Sequence, residues 1–290
     1  MDDFWIILSA SLVSISCSLL GAFLMLRKMS MVADAISHSV LPGIVIAFLI
    51  TQSFNSIFML IGAACLGIIA TILIEYFNKV ARLQEDAAIG VTYTWLFALG
   101  VILISVFANS TDLDQDCILY GEIIYIPLDE WITVTGTYLG PVKVWILGLV
   151  TLSVVLFVVL FYRKLFLMSF DPDFGIAIGI SISLWHYTFM SMVSLVTVSS
   201  FEAVGAILVI AFMIIPPATI YLFTDSLKKL LLYSCLLGFV CSTLGYYAAL
   251  MTNTSVSGMI VSVMGLFFFL ALFFSPYQGI LRKRKIELTE

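Results

Sequence analysis

Residues 31–50 read MVADAISHSVLPGIVIAFLI, an apolar run interrupted near its start by two ionisable residues, Asp34 and His38. A helix needs about 20 mainly apolar residues to cross a hydrocarbon core of about 30 Å. Similar runs recur along the chain, of whose 290 residues 62% are hydrophobic and only 11% are charged. About a quarter of the residues in a soluble domain are charged. The stretch therefore predicts one span of a multi-pass helical membrane protein.

The apolar runs define about nine candidate spans, and the pattern of basic residues orients them. The spans lie at about 5–26, 32–50, 57–77, 88–107, 144–162, 182–199, 203–222, 230–250 and 257–275. Eight spans is the alternative, because the arm at 182–199 is short. Cytoplasmic loops collect Lys and Arg, and with nine spans twelve of the 13 basic residues fall on one side. We predict an all-α, polytopic transmembrane helical bundle, a single domain over residues 1–290, with the N-terminus outside and the C-terminus cytoplasmic.

An acidic loop at about 108–143 is the longest non-apolar stretch and is predicted to lie outside. It contains Asp112, Asp114 and Asp116, which alternate along the sequence STDLDQD. In extended backbone, alternate side chains point to one face. An acidic mouth concentrates cations by its field, although an ordinary solvated loop would have the same composition. Asp114 and Asp116 are therefore candidate residues of a cation-attracting lip.

Asp34 and His38 form an ionisable pair in the second span. Their separation of four residues places both side chains on one helix face, and ionisable residues inside membranes usually face a cavity or a partner. A carboxylate and a neutral imidazole suit a divalent transition metal, which would need further ligands from elsewhere. Pro42 and Gly43 interrupt the helix just beyond, as in transporters whose broken helices line a pathway. A structural Asp–His hydrogen bond between spans remains the alternative interpretation.

Two other ionisable residues lie close to span ends. Glu202 opens the run FEAVGAILVIAFMIIPPATIYLF and is interpreted either as a second pathway carboxylate or as a solvated interfacial residue. Pro216 and Pro217 in the same run each remove a backbone donor, which predicts a bend or local unwinding. His186 lies between two aromatic residues, so we interpret it as a member of the interfacial aromatic belt.

The segment at 163–181, RKLFLMSFDPDFGIAIGIS, is predicted to contain a short helix at the inner surface. Asp171 is a good N-cap, Pro172 suits the first helical position, and Gly179 is a natural stop. The phenylalanines and isoleucines of this helix need a partner to cover them. That partner is either the bilayer surface or a cytosolic subunit.

Three segments resemble a known family. LRKMSMVADAISHSVLPGIVIAFLI, SFDPDFGIAIGI and AVGAILVIAFMIIPPATIYLFTDSL are similar to signatures of permeases in the manganese, zinc and iron ABC importer family, in the same order. The resemblance implies that Asp34 and His38 are metal-pathway residues. It also implies an ATPase-coupling element that includes Phe170, Asp171, Pro172, Asp173, Phe174 and Gly179. The stretch LDQDCILYGEI looks more like the manganese-type branch than the zinc-type branch.

The resemblance also implies partners and a location. Such permeases form a homodimer, or a heterodimer with a sister permease, in the bacterial cytoplasmic membrane. An ABC ATPase subunit binds on the cytoplasmic side, and a metal-binding lipoprotein delivers manganese, zinc or iron outside. The metal is cargo, so we expect no permanently bound cofactor, and we expect no nucleic acid partner. The chain has no GxxxxGK[ST] phosphate loop, so we expect no enzyme activity of its own and ATP hydrolysis by a partner.

Two rival functions fit parts of the sequence. Proton-coupled secondary transporters and channels also use acidic mouths and intramembrane Asp and His residues, but they do not need a short docking helix at 171–178. An intramembrane hydrolase is disfavoured because neither HExxH nor GxSxG occurs. The sequence thus favours a permease subunit of a metal-importing ABC transporter.

Overall fold

The computed structural model describes residues 2–51, 56–107, 123–128, 130–132 and 138–275, which are almost entirely helical. The long helices alternate with short connections, as expected for a bundle. They are α1 Asp2–Leu26, α2 Met31–Ser39, α3 Leu41–Thr51, α4 Ser56–Lys79, α5 Glu85–Phe107, α6 Val142–Phe170, α7 Pro172–Ala177, α8 Ile182–Val204, α9 Ala206–Tyr221, α10 Leu227–Thr252 and α11 Val256–Phe274.

The helices coincide with the predicted spans. Seven segments of the described chain are long and apolar enough to cross a membrane, with α2 and α3 together forming one of them. The 23-residue α8 and the 16-residue α9 occupy the two remaining predicted positions. The prediction of a multi-pass helical membrane protein is therefore confirmed.

Helix α6 is longer than predicted. It continues past residue 162 to Phe170, with a local departure from helical geometry at Phe161 (φ −106°, ψ 16°). The sequence between the kink and Asp171 contains neither Gly nor Pro, the residues that most often end a helix. Residues 163–170 of the predicted inner segment are thus helical, and the turn begins only at Asp171.

A short β-ribbon is an exception to the predicted all-α architecture in the described residues. A 3₁₀ helix at Ile123–Leu128 precedes β1 (Glu130–Ile132) and β2 (Tyr138–Pro141), which pair antiparallel with Glu130 opposite Pro141. Both strands lie in the stretch at about 108–143 that was predicted to be an acidic outer loop. Aromatic and β-branched residues favour strands, and pairing satisfies backbone groups that an unstructured loop would leave to water.

The helices group into two compact units. The described residues of 1–28, 122–160 and 203–290 form the first unit, and those of 29–121 and 161–202 form the second. The first unit packs α1 against α9 and α10, with α11 covering the same pair. The second packs α2 and α3 against α4 and α5.

Close packing in the first unit depends on small residues along α1. A Cβ on Gly21 would lie 2.0 Å from the carbonyl oxygen of Met213, and a Cβ on Gly238 would lie 1.8 Å from Ser14 Oγ. Neither distance is possible between real atoms. Small residues permit such approaches between membrane helices, where dispersion and hydrogen bonds replace the hydrophobic drive. Gly21 and Gly238 are therefore needed at these contacts.

The two prolines of α9 explain where α1 makes its contact. Pro216 and Pro217 cannot donate to the carbonyls four residues earlier, which belong to Phe212 and Met213. Ser18 Oγ donates to the Phe212 carbonyl at 3.3 Å, and the Met213 carbonyl faces Gly21 of α1. Helix α9 runs without interruption through both prolines. The predicted local unwinding is therefore wrong, and the Ser18 hydroxyl takes the place of the missing helical donor at the Phe212 carbonyl.

In the second unit, glycines bring α3 and α4 together. A Cβ on Gly43 would lie 2.5 Å from the Gly62 carbonyl oxygen, and a Cβ on Gly62 would lie 2.6 Å from the Gly43 carbonyl oxygen. On α5, a Cβ on Gly100 would lie 2.9 Å from Pro42 Cδ. The beginning of α3 is therefore held between two helices by backbone contact.

We expect Gly21→Ala to destabilise the protein, because the added methyl group meets backbone of α9 that cannot move aside. Overpacking of this kind costs about 1 to 3 kcal/mol, which thermal unfolding of the detergent-solubilised protein would detect as a lower midpoint. Gly148→Ala is the matched control, since a Cβ at Gly148 meets nothing within 4 Å. Equal midpoints for the two variants would contradict the contact.

Candidate metal site

A break between α2 and α3 lies immediately after His38. Pro42 cannot donate to the His38 carbonyl, and the N–H groups of Gly43 and Ile44 both donate to the Val40 carbonyl, at 2.9 and 3.2 Å. The Gly43 bond spans three residues instead of the four of a regular α-helix, so the helical hydrogen bonding is tightened locally at Val40. This confirms the interruption that was predicted from Pro42 and Gly43, and it places His38 at the last turn of α2.

Asp34 and His38 lie together on one face of α2, as their spacing predicted. Asp34 Oδ1 is 3.4 Å from His38 Nε2, and each side chain is 31% exposed in the single chain. The pair is therefore half-buried in the single chain. A good N–H···O hydrogen bond measures 2.7 to 3.2 Å. Because this distance is longer, the carboxylate oxygen of Asp34 and the imidazole nitrogen of His38 can both bind one shared cation as ligands.

The imidazole of His38 is positioned by aromatic rings of α5. The ring centroids of Tyr93 and Phe97 lie 6.0 and 6.1 Å away, and Phe97 meets the imidazole edge to face at 88°. Beside it is a cavity of about 20 Å³, lined by Ser37, His38, Val40, Leu41, Ile44, Phe97 and Phe201. A cavity needs about 10 to 15 Å³ to accept one water molecule. One water or one small ion therefore fits next to His38.

Two donors alone make an incomplete metal site. In the part of the chain that the structure describes, no three His, Cys, Asp or Glu side chains cluster closely enough to hold a metal. Glu202 lies in α8 directly after Phe201, which lines the cavity, but only the backbone of Glu202 is described. Asp114 and Asp116 lie outside the described residues. The structure thus brings together Asp34 and His38, and the other predicted ligands stay predictions.

The short helix predicted after residue 170 is confirmed. Asp171 caps α7, accepting a hydrogen bond from the Phe174 N–H at 3.0 Å, and Pro172 occupies the first turn. Gly179, at φ +84°, allows the chain to turn away, a backbone conformation that favours glycine. Asp173 lies in the first turn, where its negative charge complements the helix dipole.

The apolar side chains around α7 are uncovered. Each of the following is more than half exposed: Phe170, Phe174, Ile176 and Ile178. Single exposed apolar residues are common on protein surfaces, whereas a contiguous group marks an interaction site. The segment thus presents four exposed apolar side chains within nine residues of sequence, together with two acidic residues, Asp171 and Asp173.

Sequence reasoning missed one ionisable cluster. Glu75 of α4 forms an ion pair with Lys79, and its Oε2 lies 3.7 Å from His186 Nε2 of α8. His186 is buried, so its interpretation as a belt residue is wrong. An intramembrane carboxylate followed by Lys four residues later is a recognisable helical pair. That spacing could have identified Glu75, but nothing in the sequence pointed to its partner on α8.

An interrupted helix with an ionisable pair beside a small cavity, set in a multi-pass bundle, is typical of membrane transport proteins. The model of the ABC 3 transport family matches residues 4–275. The chain belongs to this family.

Relatives agree with that assignment. The chain is 44% identical over 280 residues to the manganese transport system membrane protein MntD of Bacillus subtilis (strain 168), covering 97% of this chain and 94% of that protein. It is 37% identical over 278 residues to the zinc transport system membrane protein TroD of Treponema pallidum (strain Nichols), covering 96% and 75%. The solved structure of PsaBC from Streptococcus pneumoniae in complex with Fab is similar, with a TM-score of 0.79 and 33% identity over 97% of this chain and 94% of that one.

We expect Asp171→Ala to fray α7, since it leaves the Phe174 N–H without its acceptor. Removing an N-cap costs about 1 kcal/mol, and hydrogen exchange of the amides at 173–176 should accelerate accordingly. Asp171→Asn is the matched control, because Asn is an equally good cap. Similar exchange in both variants would mean that the cap does not hold α7.

Proposed function

We propose that the chain is the membrane-spanning permease subunit of an ABC importer for a divalent transition metal. Manganese is the first candidate cargo, followed by zinc or iron. The observation that carries this proposal is the Asp34–His38 pair, whose nitrogen and oxygen are 3.4 Å apart beside the cavity. The names of the relatives, which specify manganese and zinc transport, support the same cargo.

The donor types suit such a cargo. Mn²⁺ accepts carboxylate, imidazole and water ligands, whereas thiolate-rich sites favour softer ions. In our proposal Asp34 and His38 provide two ligands, Glu202 provides a third, and water completes the shell. A site that binds weakly enough to release its ion is what conduction requires. An incomplete protein shell therefore fits an ion in transit better than a permanently bound one.

The acidic loop supplies the outer end of the proposed route. With nine spans the N-terminus lies outside, the C-terminus is cytoplasmic, and residues 1–290 act as one permease domain in the bacterial cytoplasmic membrane. Asp114 and Asp116 would then attract divalent cations towards the mouth, raising the rate of encounter. Because metal is cargo, no permanently bound cofactor is required.

Helix α7 is the proposed docking site for the ATPase subunit. Its uncovered apolar side chains need a partner, and Phe170, Phe174 and Gly179 belong to the segment that the family resemblance assigns to coupling. ATP binding and hydrolysis by that subunit would push α7 and switch access to the Asp34–His38 pair. A metal-binding lipoprotein would deliver the ion outside, and the permease would work as a homodimer or with a sister permease.

A proton-coupled secondary transporter or channel is the alternative, because an Asp–His pair beside a water-sized cavity could also carry a proton. Uptake by the alternative would follow an ion gradient in the absence of ATP. The uncovered apolar surface at α7 has no role in such a carrier. ATP dependence of uptake therefore separates the two proposals.

We expect Asp34→Ala and His38→Ala each to reduce Mn²⁺ uptake by about tenfold or more, since even residues that only support metal ligands contribute 10- to 100-fold. Uptake would be measured with the complex reconstituted in vesicles, with and without ATP. Asp225→Ala, which removes an exposed carboxylate from the loop before α10, is the control. Normal uptake in both pair variants would refute the site.

We expect Phe174→Ala to weaken binding of the ATPase subunit, because it removes an exposed aromatic anchor. Truncating such an anchor costs about 2 kcal/mol or more, which is about 30-fold in affinity. Co-purification of the two subunits measures the loss. The control is Phe4→Ala, an equally exposed phenylalanine at the start of α1. Unchanged assembly of the Phe174 variant would place the docking site elsewhere.

A further inference from the structure

We infer that Glu75 is a positioning residue for transport: it locks the beginning of α8 to α4, so that movement of α7 reaches the Asp34–His38 pair. This inference rests on the proposed docking of an ATPase at α7. The chain of contacts that supports it lies entirely within the second unit.

The first link joins the two ends of the α7 segment. Trp185, in the first turn of α8, packs on Phe161 with ring centroids 4.7 Å apart. The Lys164 ammonium lies 4.4 Å from the centroid of the Trp185 ring, a cation–π geometry that stabilises the contact. The end of α6 and the beginning of α8 are therefore joined at the base of the α7 segment. A displacement of α7 must move the first turn of α8.

The second link joins α8 to α4 through Glu75. One carboxylate oxygen lies 3.7 Å from His186 Nε2, and the Tyr187 hydroxyl lies close enough to the same carboxylate to interact with it electrostatically. Lys79, one turn further along α4, completes the cluster. The side chains of Glu75 and His186 are only 11% and 10% exposed. Removing one partner from a buried charged cluster is strongly destabilising locally, so Glu75 holds α8 firmly.

Lys79 contributes less than the partners on α8. Its side chain is 64% exposed, and exposed ion pairs with lysine contribute little. The lysine also lies on the same helix as Glu75, so it cannot tie α4 to another element. His186 and Tyr187 are therefore the partners that matter for transmission.

The third link runs from α4 and α8 to the metal pair. Ser194 Oγ of α8 donates to the Ala64 carbonyl of α4 at 3.3 Å. A Cβ on Gly67 would lie 2.0 Å from Ser194 Oγ and 3.2 Å from Ile36 Cγ2, so α4 is pressed between α8 and α2 at this point. Ile36 lies between Asp34 and His38 in the sequence. Because packed interiors shift as units and do not deform continuously, moving α4 and α8 together must move α2.

The experiment compares metal transport with ATP turnover in the same vesicles. The full complex of permease, ATPase and lipoprotein is reconstituted, and Mn²⁺ uptake and ATP hydrolysis are measured for Glu75→Ala. We expect the number of Mn²⁺ ions moved per ATP to fall about tenfold, within the 5- to 150-fold range typical of coupling between sites. Asp86→Ala, an exposed carboxylate in the first turn of α5, should leave the ratio unchanged.

Conservative variants separate positioning from folding. Glu75→Gln keeps an acceptor for His186 and Tyr187, so it should recover most of the ratio. Tyr187→Phe removes a single hydroxyl and keeps the packing, so it should lower the ratio even if Glu75→Ala does not assemble.

An unchanged ratio in both Glu75→Ala and Tyr187→Phe would overturn the inference. This holds whether uptake and ATP hydrolysis both stay normal or both fall in step, the latter indicating a merely structural role. If the unmodified complex shows no ATP-dependent uptake, the proposed function itself fails. If the unmodified complex imports Mn²⁺ normally and the variants move as many Mn²⁺ ions per ATP as it does, only the role of Glu75 is refuted.

Discussion

Every backbone donor and acceptor in the hydrocarbon core must be satisfied by the protein itself, since no water is present to do so. Proline creates this requirement at particular positions. Each proline removes a backbone donor, so the carbonyl four residues earlier loses its helical hydrogen-bond partner. At Pro216 and Pro217 the carbonyls belong to Phe212 and Met213, which α1 approaches closely through Ser18 and Gly21. The packing of the first unit thus follows from two prolines and the small residues opposite them.

The second unit meets the same requirement with a different result. Pro42 removes the helical donor for the His38 carbonyl, and here the helix is interrupted at Val40, where the Gly43 N–H donates to the carbonyl three residues earlier. Contacts through Gly43, Gly62 and Gly100 hold the broken region in place. A break stabilised in this way leaves a cavity beside His38. The rigid surroundings, rather than any strong bond between Asp34 and His38, position the pair.

Local patterns were predictable from the sequence where a neighbouring residue decides the outcome. The Asp171 cap, the Gly179 turn and the break at Pro42 each depend on residues within one helical turn, and each is confirmed. Errors arose where the outcome depends on a distant helix. The α9 prolines were expected to bend or locally unwind their helix, but the helix continues through both of them. His186 was interpreted from the sequence as a residue of the interfacial aromatic belt, but in the structure it lies beside Glu75 of α4.

The sequence by itself determined the class of protein, the approximate positions of its long apolar helices and the common face of Asp34 and His38, because hydrophobic length and helical spacing are properties of a single segment. Only the tertiary structure decided that this pair is half-buried beside a cavity, and that Glu75 meets His186. Those outcomes require side chains from helices far apart in the sequence, and they depend on how closely backbones approach. Approach distance is set by pairs of small residues such as Gly67 and Ser194, whose pairing no single segment encodes.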